Sequence, residues 1–363
     1  MKFKFGELFS GPGGLALGAT RAKIKSDKGE TFSVEHTFSN DISHWACKTY
    51  ARNICASDES HVYCGDIRKL MDEENIVFPD IDALAFGFPC NDYSIVGEQK
   101  GIHGKYGPLY SYGVKIIEQK APKWFFAENV GGLQNKNQWH TFERILADLQ
   151  DSGPGYILTP HFYKFEEYGV PQARHRVIII GIDKNLGLES FKVPAPTTKS
   201  NPRTARQALE DPPIPKNAPN NELTAQSKTV IERLKHIPEG KNAWCEEIPE
   251  HLRLNVKSAK LSQIYRRLSA DRPSYTITGS GGGGTHGYHW KENRALTNRE
   301  RARIQTFPDN FIFEGGKEDV RQQIGMAVPP LGAEVIVKAI LKTFAGIPYK
   351  SVKAHWEDIL TDK

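Results

Sequence analysis

Residues 3-FKFGELFSGPGGLALGATRAK-23 decide the fold. An apolar-rich run from Phe3 to Phe9 enters a turn holding Gly11, Gly13 and Gly14, and a helical stretch from Gly14 to Lys23 follows. Strand, glycine turn and helix in that order open a sheet whose parallel strands are joined by crossover helices. The rhythm continues with a strand around Val34 to Ser39, a helix from Ile42 to Arg52 and a short strand around His61 to Cys64. Ile81 to Phe88 (IDALAFGF) and Lys123 to Ala127 (KWFFA) are near-continuous apolar runs, as central strands buried on both faces require. Helices at about 109–120 and 139–151 connect them, and Val177 to Ile182 is a further buried strand. The expected class is α/β.

At 363 residues the chain has room for two domains, or for one domain with a large insertion. Apolar residues at 39% and charged residues at 25% are globular values and exclude a disordered chain. Seven of the 22 prolines fall within residues 193–219, which excludes regular sheet there and puts a boundary near 185–195. The segment 253–272 carries Arg253, Lys257, Lys260, Arg266, Arg267 and Arg272 against Asp271 alone, a net +5 that equals the surplus of the whole chain. Clustered cations of this kind suit a polyanion's phosphates. The run 279-GSGGGG-284 suits close backbone approach or a mobile loop, and the helical pattern resumes near 291 to end in an apolar helix from Gly332 to Phe344. Five cysteines, an odd count with no C-x-x-C pair, encode neither a disulfide framework nor a zinc ribbon. His286 and His289 are spaced H-x-x-H without further ligands, so no metal is expected. The N-terminus MKFKFGELF lacks a signal-peptide core, and no stretch reads as the ~20 apolar residues of a membrane span. A cytoplasmic location is expected.

The chemistry gathers at strand ends. The turn 9-FSGPGGL-15 is neither a full G-x-G-x-x-G nor a P-loop, which favours a nucleoside without a pyrophosphate. Asp41, ending the second strand, stands where an acidic residue grips a ribose diol, and Asp66 in 64-CGDI-67 could meet an adenine amino group. Cys90 in 87-GFPCNDYS-94 follows a central strand at the edge where open α/β sheets bind ligands, a place for a nucleophile. Glu128 in 128-ENV-130 ends the strand KWFFA, and 172-QARHR-176 brings Arg174 and Arg176 to the same rim.

These motifs, in this order, resemble the DNA (cytosine-5)-methyltransferases. FSGPGGL, PCNDYS, ENV and QARHR match four family motifs, and 296-LTNRERARIQTFPDNF-311 and 323-QIGMAVPPLGAE-334 match the C-terminal signatures. The resemblance implies a Rossmann-like S-adenosylmethionine-dependent methyltransferase domain. It also implies a smaller, loop-rich target-recognition domain inserted before the C-terminal motifs. The expected boundaries are residues 1–185 for the catalytic domain, 186–290 for the insertion, 291–321 for a hinge and motif segment, and 322–363 for the return to the catalytic domain.

Carried over residue by residue, the resemblance makes Cys90 the nucleophile that adds to C6 of a flipped-out cytosine. Glu128 meets N3 and N4, and Arg176 holds O2 with Arg174 nearby. Phe9, Gly11, Pro12, Gly14 and Leu15 take the methionine and ribose region of S-adenosyl-L-methionine, and Asp41 its ribose hydroxyls. Ile42 covers one adenine face, Asp66 and Ile67 the edge and the other face, and Pro89 and Leu109 complete the pocket. Ser94 is a phosphate contact, joined by Lys257, Lys260, Arg266 and Arg267 of the basic segment. The helix segment 299-RERAR-303 is expected to be a solvated face. Two positions depart from the family: Asn91 stands where P-C-Q is usual, and Met326 replaces the asparagine of G-N-x-V.

The implied activity is methylation of cytosine C5 within a short duplex DNA sequence, without a metal, leaving S-adenosyl-L-homocysteine. The implied setting is a restriction-modification system in which a monomer shares its site with a cognate restriction endonuclease, without a stable complex, in the cytoplasm at the nucleoid. The alternatives are an RNA cytosine-5 methyltransferase of the same fold, a non-catalytic DNA-binding regulator and a nicotinamide dehydrogenase.

Overall fold

The computed structural model describes residues 1–88, 109–134, 139–255, 261–279 and 284–356. In chain order its elements are β1 (Lys2–Leu8), α1 (Gly14–Arg21), β2 (Lys23–Lys25), β3 (Thr31–Asp41), α2 (His44–Ile54), β4 (Val62–Cys64), β5 (Ala83–Gly87), α3 (Tyr110–Lys120), β6 (Trp124–Val130), α4 (Trp139–Asp151) and β7 (Tyr156–Lys164). There follow β8 (Gln172–Ala173), β9 (His175–Asp183), β10 (Val193–Pro194), α5 (Ala205–Glu210), α6 (Lys228–Lys235), β11 (Ser274–Tyr275), α7 (Asn298–Ile304), α8 (Lys317–Met326), α9 (Pro330–Ala345) and β12 (Ser351–Val352). Two compact units divide the chain. The first comprises Met1–Lys164, His175–Pro196 and Pro330–Lys363, and the second Phe165–Arg174 and Thr197–Pro329.

The first unit is built on an eight-stranded sheet in the order β2-β3-β1-β5-β6-β9-β7, with β4 paired to β3. β3, β1, β5 and β6 are mutually parallel neighbours and β4 runs parallel to β3, whereas β9 is antiparallel to both β6 and β7. Phe3, Phe5, Leu84, Phe86, Trp124, Phe125, Phe126, Ile178 and Ile180 are fully buried along the central strands, which is why these segments read as unbroken apolar runs. Each such side chain contributes about 1.5–3 kcal/mol by leaving water. α3 and α4 add Ile116, Ile117, Phe142, Ile145 and Leu149 to the same core. β7 was not expected as a strand; Pro160 interrupts its pattern, but β7 is the last strand on its edge, where a missing amide is tolerated.

The second unit holds little regular structure. Its core cluster contains Leu234, Ile237, Ala243, Ile248, Leu252, Tyr265, Tyr288 and Ala295. The expected return to the catalytic domain at 322 differs from the compact units: α8 belongs to the second unit and the first resumes at Pro330. Against the expectation of no membrane-length segment, Lys317–Ala345 is long and apolar enough by composition. That window is 72% buried within the protein, and the chain leaves helical geometry at residues 327–329.

Candidate active site and cofactor pocket

Because β1, β3, β4, β5 and β6 run in one direction, their carboxyl ends lie along one edge of the first unit's sheet. β9 runs the other way, so its beginning joins that edge and Arg176 pairs in register with Val130. Topology alone therefore brings together Phe9 to Gly14, Asp41, Asp66 and the pair Glu128 and Arg176.

The chain leaves β1 under strain. Phe9 holds a left-handed backbone at φ 54°, a conformation that costs a bulky residue on the order of 1 kcal/mol or more and marks an over-determined site. Gly11 N donates to Asp41 Oδ2 at 2.8 Å and Ser43 N donates to Asp41 Oδ1 at 2.8 Å. Burial raises the Asp41 carboxyl above the ordinary range, and these amides oppose the rise by favouring the anion. Each oxygen keeps a lone pair for a further donor, as a ribose diol requires. At Gly11 nothing lies within 4 Å of where a Cβ would stand, so the bare face of the turn is open. Beside it Ile42 is 70% exposed, a large apolar side chain in the position of a cover for a flat base.

Pro12, Gly14 and Leu15 are buried in the turn and the start of α1. Asp66 follows β4 and is gripped by Arg68, whose Nε lies 2.9 Å from Oδ1, and this partner holds the Asp66 carboxyl below its usual range. Ile67 and Leu109 are buried in the core below the strand ends. Arg68 was not anticipated as the partner of Asp66. These residues fit an adenosine: a carboxylate with spare lone pairs, an open glycine face and an exposed aliphatic cover.

Glu128 Oε1 and Arg176 Nε form an ion pair at 2.7 Å, each side chain 12% exposed, and Arg176 Nη1 donates to His175 O at 2.8 Å. The pair offers a carboxylate and a guanidinium side by side at the sheet edge. Pro89, Cys90 and Ser94 lie outside the described residues, as do Lys257 and Lys260.

Arg174 goes elsewhere. It falls between β8 and β9, is 1% exposed, and donates to Ile277 O at 3.2 Å and Met326 O at 3.3 Å within the second unit. Its guanidinium is engaged with carbonyl oxygens rather than turned to the rim. Met326 is 54% exposed. Arg267, expected on the DNA, is 4% exposed and bonds the carbonyls of Leu234, His289, Trp290 and Glu292 and the side chain of Asn293. A phosphate cannot reach a guanidinium so enclosed. Arg266 next to it is half-buried, lies 4.4 Å over the Tyr275 ring, and lines an open cavity with Lys241, Ser262, Glu246 and Glu247. The segment RERAR is not solvated: Arg299 is fully buried and donates to Pro219 O, Pro308 O and Phe311 O at 2.6–2.9 Å.

Among the described residues, no group of three or more His, Cys, Asp or Glu stands together as a metal site would need. His286 and His289 are separately occupied: His286 Nδ1 meets Arg321, and His289 Nδ1 accepts from Lys291 N and Glu292 N. Sequence reasoning passed over Glu7. Its signal was available: a carboxylate in the apolar run of β1, two residues before the glycine turn begins.

Comparison with known proteins adds to this geometry. A family model described as C-5 cytosine-specific DNA methylase matches residues 3–342. The Type II methyltransferase M.BbvI of Brevibacillus brevis is 60% identical over 98% of this chain and 96% of its own length. The Type II methyltransferase M.NgoFVII of Neisseria gonorrhoeae is 40% identical over 100% of this chain and 92% of its own. An Escherichia coli crystal structure, described as a DNA modification methyltransferase encoded within a prophage, shares the fold. Its TM-score is 0.69 at 23% identity, over 94% of this chain and 99% of that one.

Proposed function

The chain belongs to the C-5 cytosine-specific DNA methylase family, and on that premise we propose that it methylates C5 of a cytosine within a short duplex DNA sequence, using S-adenosyl-L-methionine. The observation that carries this reading is the Glu128–Arg176 pair at 2.7 Å, on the sheet edge that also holds Asp41 and the glycine turn. S-adenosyl-L-methionine supplies an electrophilic methyl group when bound. Asp41 would hold its ribose hydroxyls, Ile42 an adenine face, Asp66 and Ile67 the adenine edge and other face, and Phe9 to Leu15 the methionine side, with Pro89 and Leu109 completing the pocket.

Cytosine C6 is a poor electrophile, so negative charge gathering on the ring must be met by the protein. Glu128 accepts from the N4 amino group and, when protonated, donates at N3. Arg176 donates to O2. The Cys90 thiolate adds to C6, and the C5–C6 double-bond electrons become available at C5 for the methyl group. Loss of the C5 proton then drives elimination of the thiolate and restores the ring. The base must leave the duplex stack first, at a cost of a few kcal/mol offset by contacts to the vacated DNA. Arg174 and Arg267 are read as internal cross-links, which leaves Arg266, among the described residues expected on the DNA, to join Ser94, Lys257 and Lys260 there.

Both relatives are named Type II methyltransferases, and a restriction-modification setting is proposed for this chain: protection of a site from a cognate endonuclease acting separately. Bisulfite sequencing of a duplex library treated with enzyme and S-adenosyl-L-methionine tests the reading. Protected cytosines at one position of one short sequence are expected. Complete conversion throughout, or protection confined to added transfer RNA, overturns it.

A further inference from the structure

β1 carries an ionisable group where its surroundings are apolar. Glu7 is 3% exposed, and Oε2 accepts a hydrogen bond from the Tyr50 hydroxyl of α2 at 3.1 Å. Tyr50 is itself fully buried and its ring lies against the glycine turn. At Gly13, where φ is 89°, a Cβ would stand 2.9 Å from Tyr50 Cδ2 and 2.9 Å from Ile54 Cγ1, so only glycine admits the ring this close. No side chain caps α1 at Gly13. The turn is therefore held twice by carboxylates. Asp41 fixes Gly11 directly. Glu7 reaches the other end through Tyr50, whose ring lies against Gly13.

A buried carboxylate costs several kcal/mol when its partners do not compensate. A strand interior that needed only packing would be served by an apolar residue, as it is at Phe3, Phe5 and Leu8. We propose that Glu7 and Tyr50 are a coupled pair of positioning residues for the cofactor, holding the turn from Ser10 to Gly14 in the shape that receives S-adenosyl-L-methionine. The inference rests on the cofactor reading given above. Neither residue touches the reacting atoms. Their contribution is to preorganise the turn, so their loss acts on cofactor capture rather than on methyl transfer once both substrates are bound.

The test is a double-mutant cycle on the full chain with Tyr50→Phe, Glu7→Gln and the pair together, and Tyr156→Phe as control. Tyr156 is equally buried but donates to Pro122 O at 2.7 Å on the far strand β7. Equilibrium binding of S-adenosyl-L-methionine is measured without DNA, and kcat, both KM values and the melting temperature with it. Tyr50→Phe should raise the cofactor Kd and KM about 3- to 10-fold, the range a lost hydrogen bond gives. It should leave kcat within about twofold and the DNA KM unchanged. The double variant should bind no worse than the weaker single one, because the two residues act as one unit. Tyr156→Phe should lower the melting temperature without moving the cofactor KM. Three results overturn the proposal: a cofactor Kd within twofold of wild type in both single variants, effects that add fully in the double variant, or a control that moves the cofactor KM equally. A wild-type chain that fails to bind S-adenosyl-L-methionine overturns instead the cofactor reading.

Discussion

The two compact units bury different things. Among the described residues the first unit buries no arginine, while the second buries six: Arg174, Arg233, Arg267, Arg299, Arg301 and Arg321. The reason is the backbone. An eight-stranded sheet pairs its own amides and carbonyls, so the first unit can fill its interior with Phe, Ile and Trp. The second unit is mostly irregular chain, whose inward carbonyls have no ladder to join. A guanidinium presents five donors on one rigid fork, and Arg299 alone satisfies Pro219, Pro308 and Phe311 while Arg267 gathers four carbonyls. Positive charge in such a region is partly internal scaffold, so a local surplus in the sequence overstates the charge that faces a partner.

If chemistry belongs to the first unit and scaffolding by arginine to the second, substitutions of charged residues in the two should fail in different ways. Glu128→Gln should lower kcat by about 10²- to 10⁴-fold, the contribution of a positioned acid or base, with cofactor affinity and melting temperature nearly unchanged. Arg299→Ala should instead cost about 3–5 kcal/mol of stability by urea unfolding, because the buried carbonyls lose their donors together. Arg299→Lys should recover little, since one ammonium cannot span three acceptors held on a fork. A stable Arg299→Ala enzyme would erase the distinction between the units.

The same contrast explains what could be seen in advance. Central strand positions in the first unit were legible because burial on both faces forces continuous apolar runs, and β5 and β6 fall where those runs lie. Glu128 and Arg176 were legible as motif residues on strand ends, and the sheet brings them to 2.7 Å. The partners of Arg174 were not legible, because the carbonyls it meets lie 103 and 152 positions along the chain. RERAR was misread because charged helix positions are ordinarily solvated. The carbonyls that draw Arg299 inward come from residues 9–80 positions away, at no spacing a local pattern could reveal. Glu7 was passed over for a related reason: its partner Tyr50 lies 43 residues along the chain.

Proton linkage offers a finer comparison, because buried titratable groups occur in both units. Burial lowers His36 to about 4 and His161 to about 3 in the first unit, and His286 to about 4 in the second. Such histidines stay neutral when folded and gain protons only on unfolding, so stability should fall as pH drops from 6.5 towards 4. Glu7 acts in the opposite sense. Burial raises it to about 8, so between pH 4.5 and 8 the folded protein keeps a proton that the unfolded chain releases. Stability from this group is full below 4.5 and declines as pH rises through 8. Urea midpoints measured from pH 5 to 9 should therefore show a decline on the alkaline side that Glu7→Gln flattens. Retention of that decline in the variant would assign it to other groups.

The smallest effect separates the neighbours Arg266 and Arg267, where one guanidinium faces a cavity and the other is enclosed. Arg266→Ala should weaken DNA binding by about 1 kcal/mol and make the dependence of log K on log salt shallower by about 1 if the contact is to phosphate. Arg267→Ala should leave that slope unchanged in whatever fraction remains folded, while lowering the melting temperature by many degrees. The cavity beside Arg266 is not purely cationic: Glu246 and Glu247 line it together with Lys241 and Arg266. Mixed donors and acceptors suit base edges better than phosphate oxygens. Should Arg266→Ala keep the wild-type salt slope while methylation spreads to sites differing at one position, Arg266 reads sequence rather than backbone. Equal slopes and equal melting losses for the two variants would leave the enclosed and the open arginine indistinguishable, and the division of charge between scaffold and interface would fail where the sequence makes it hardest to see.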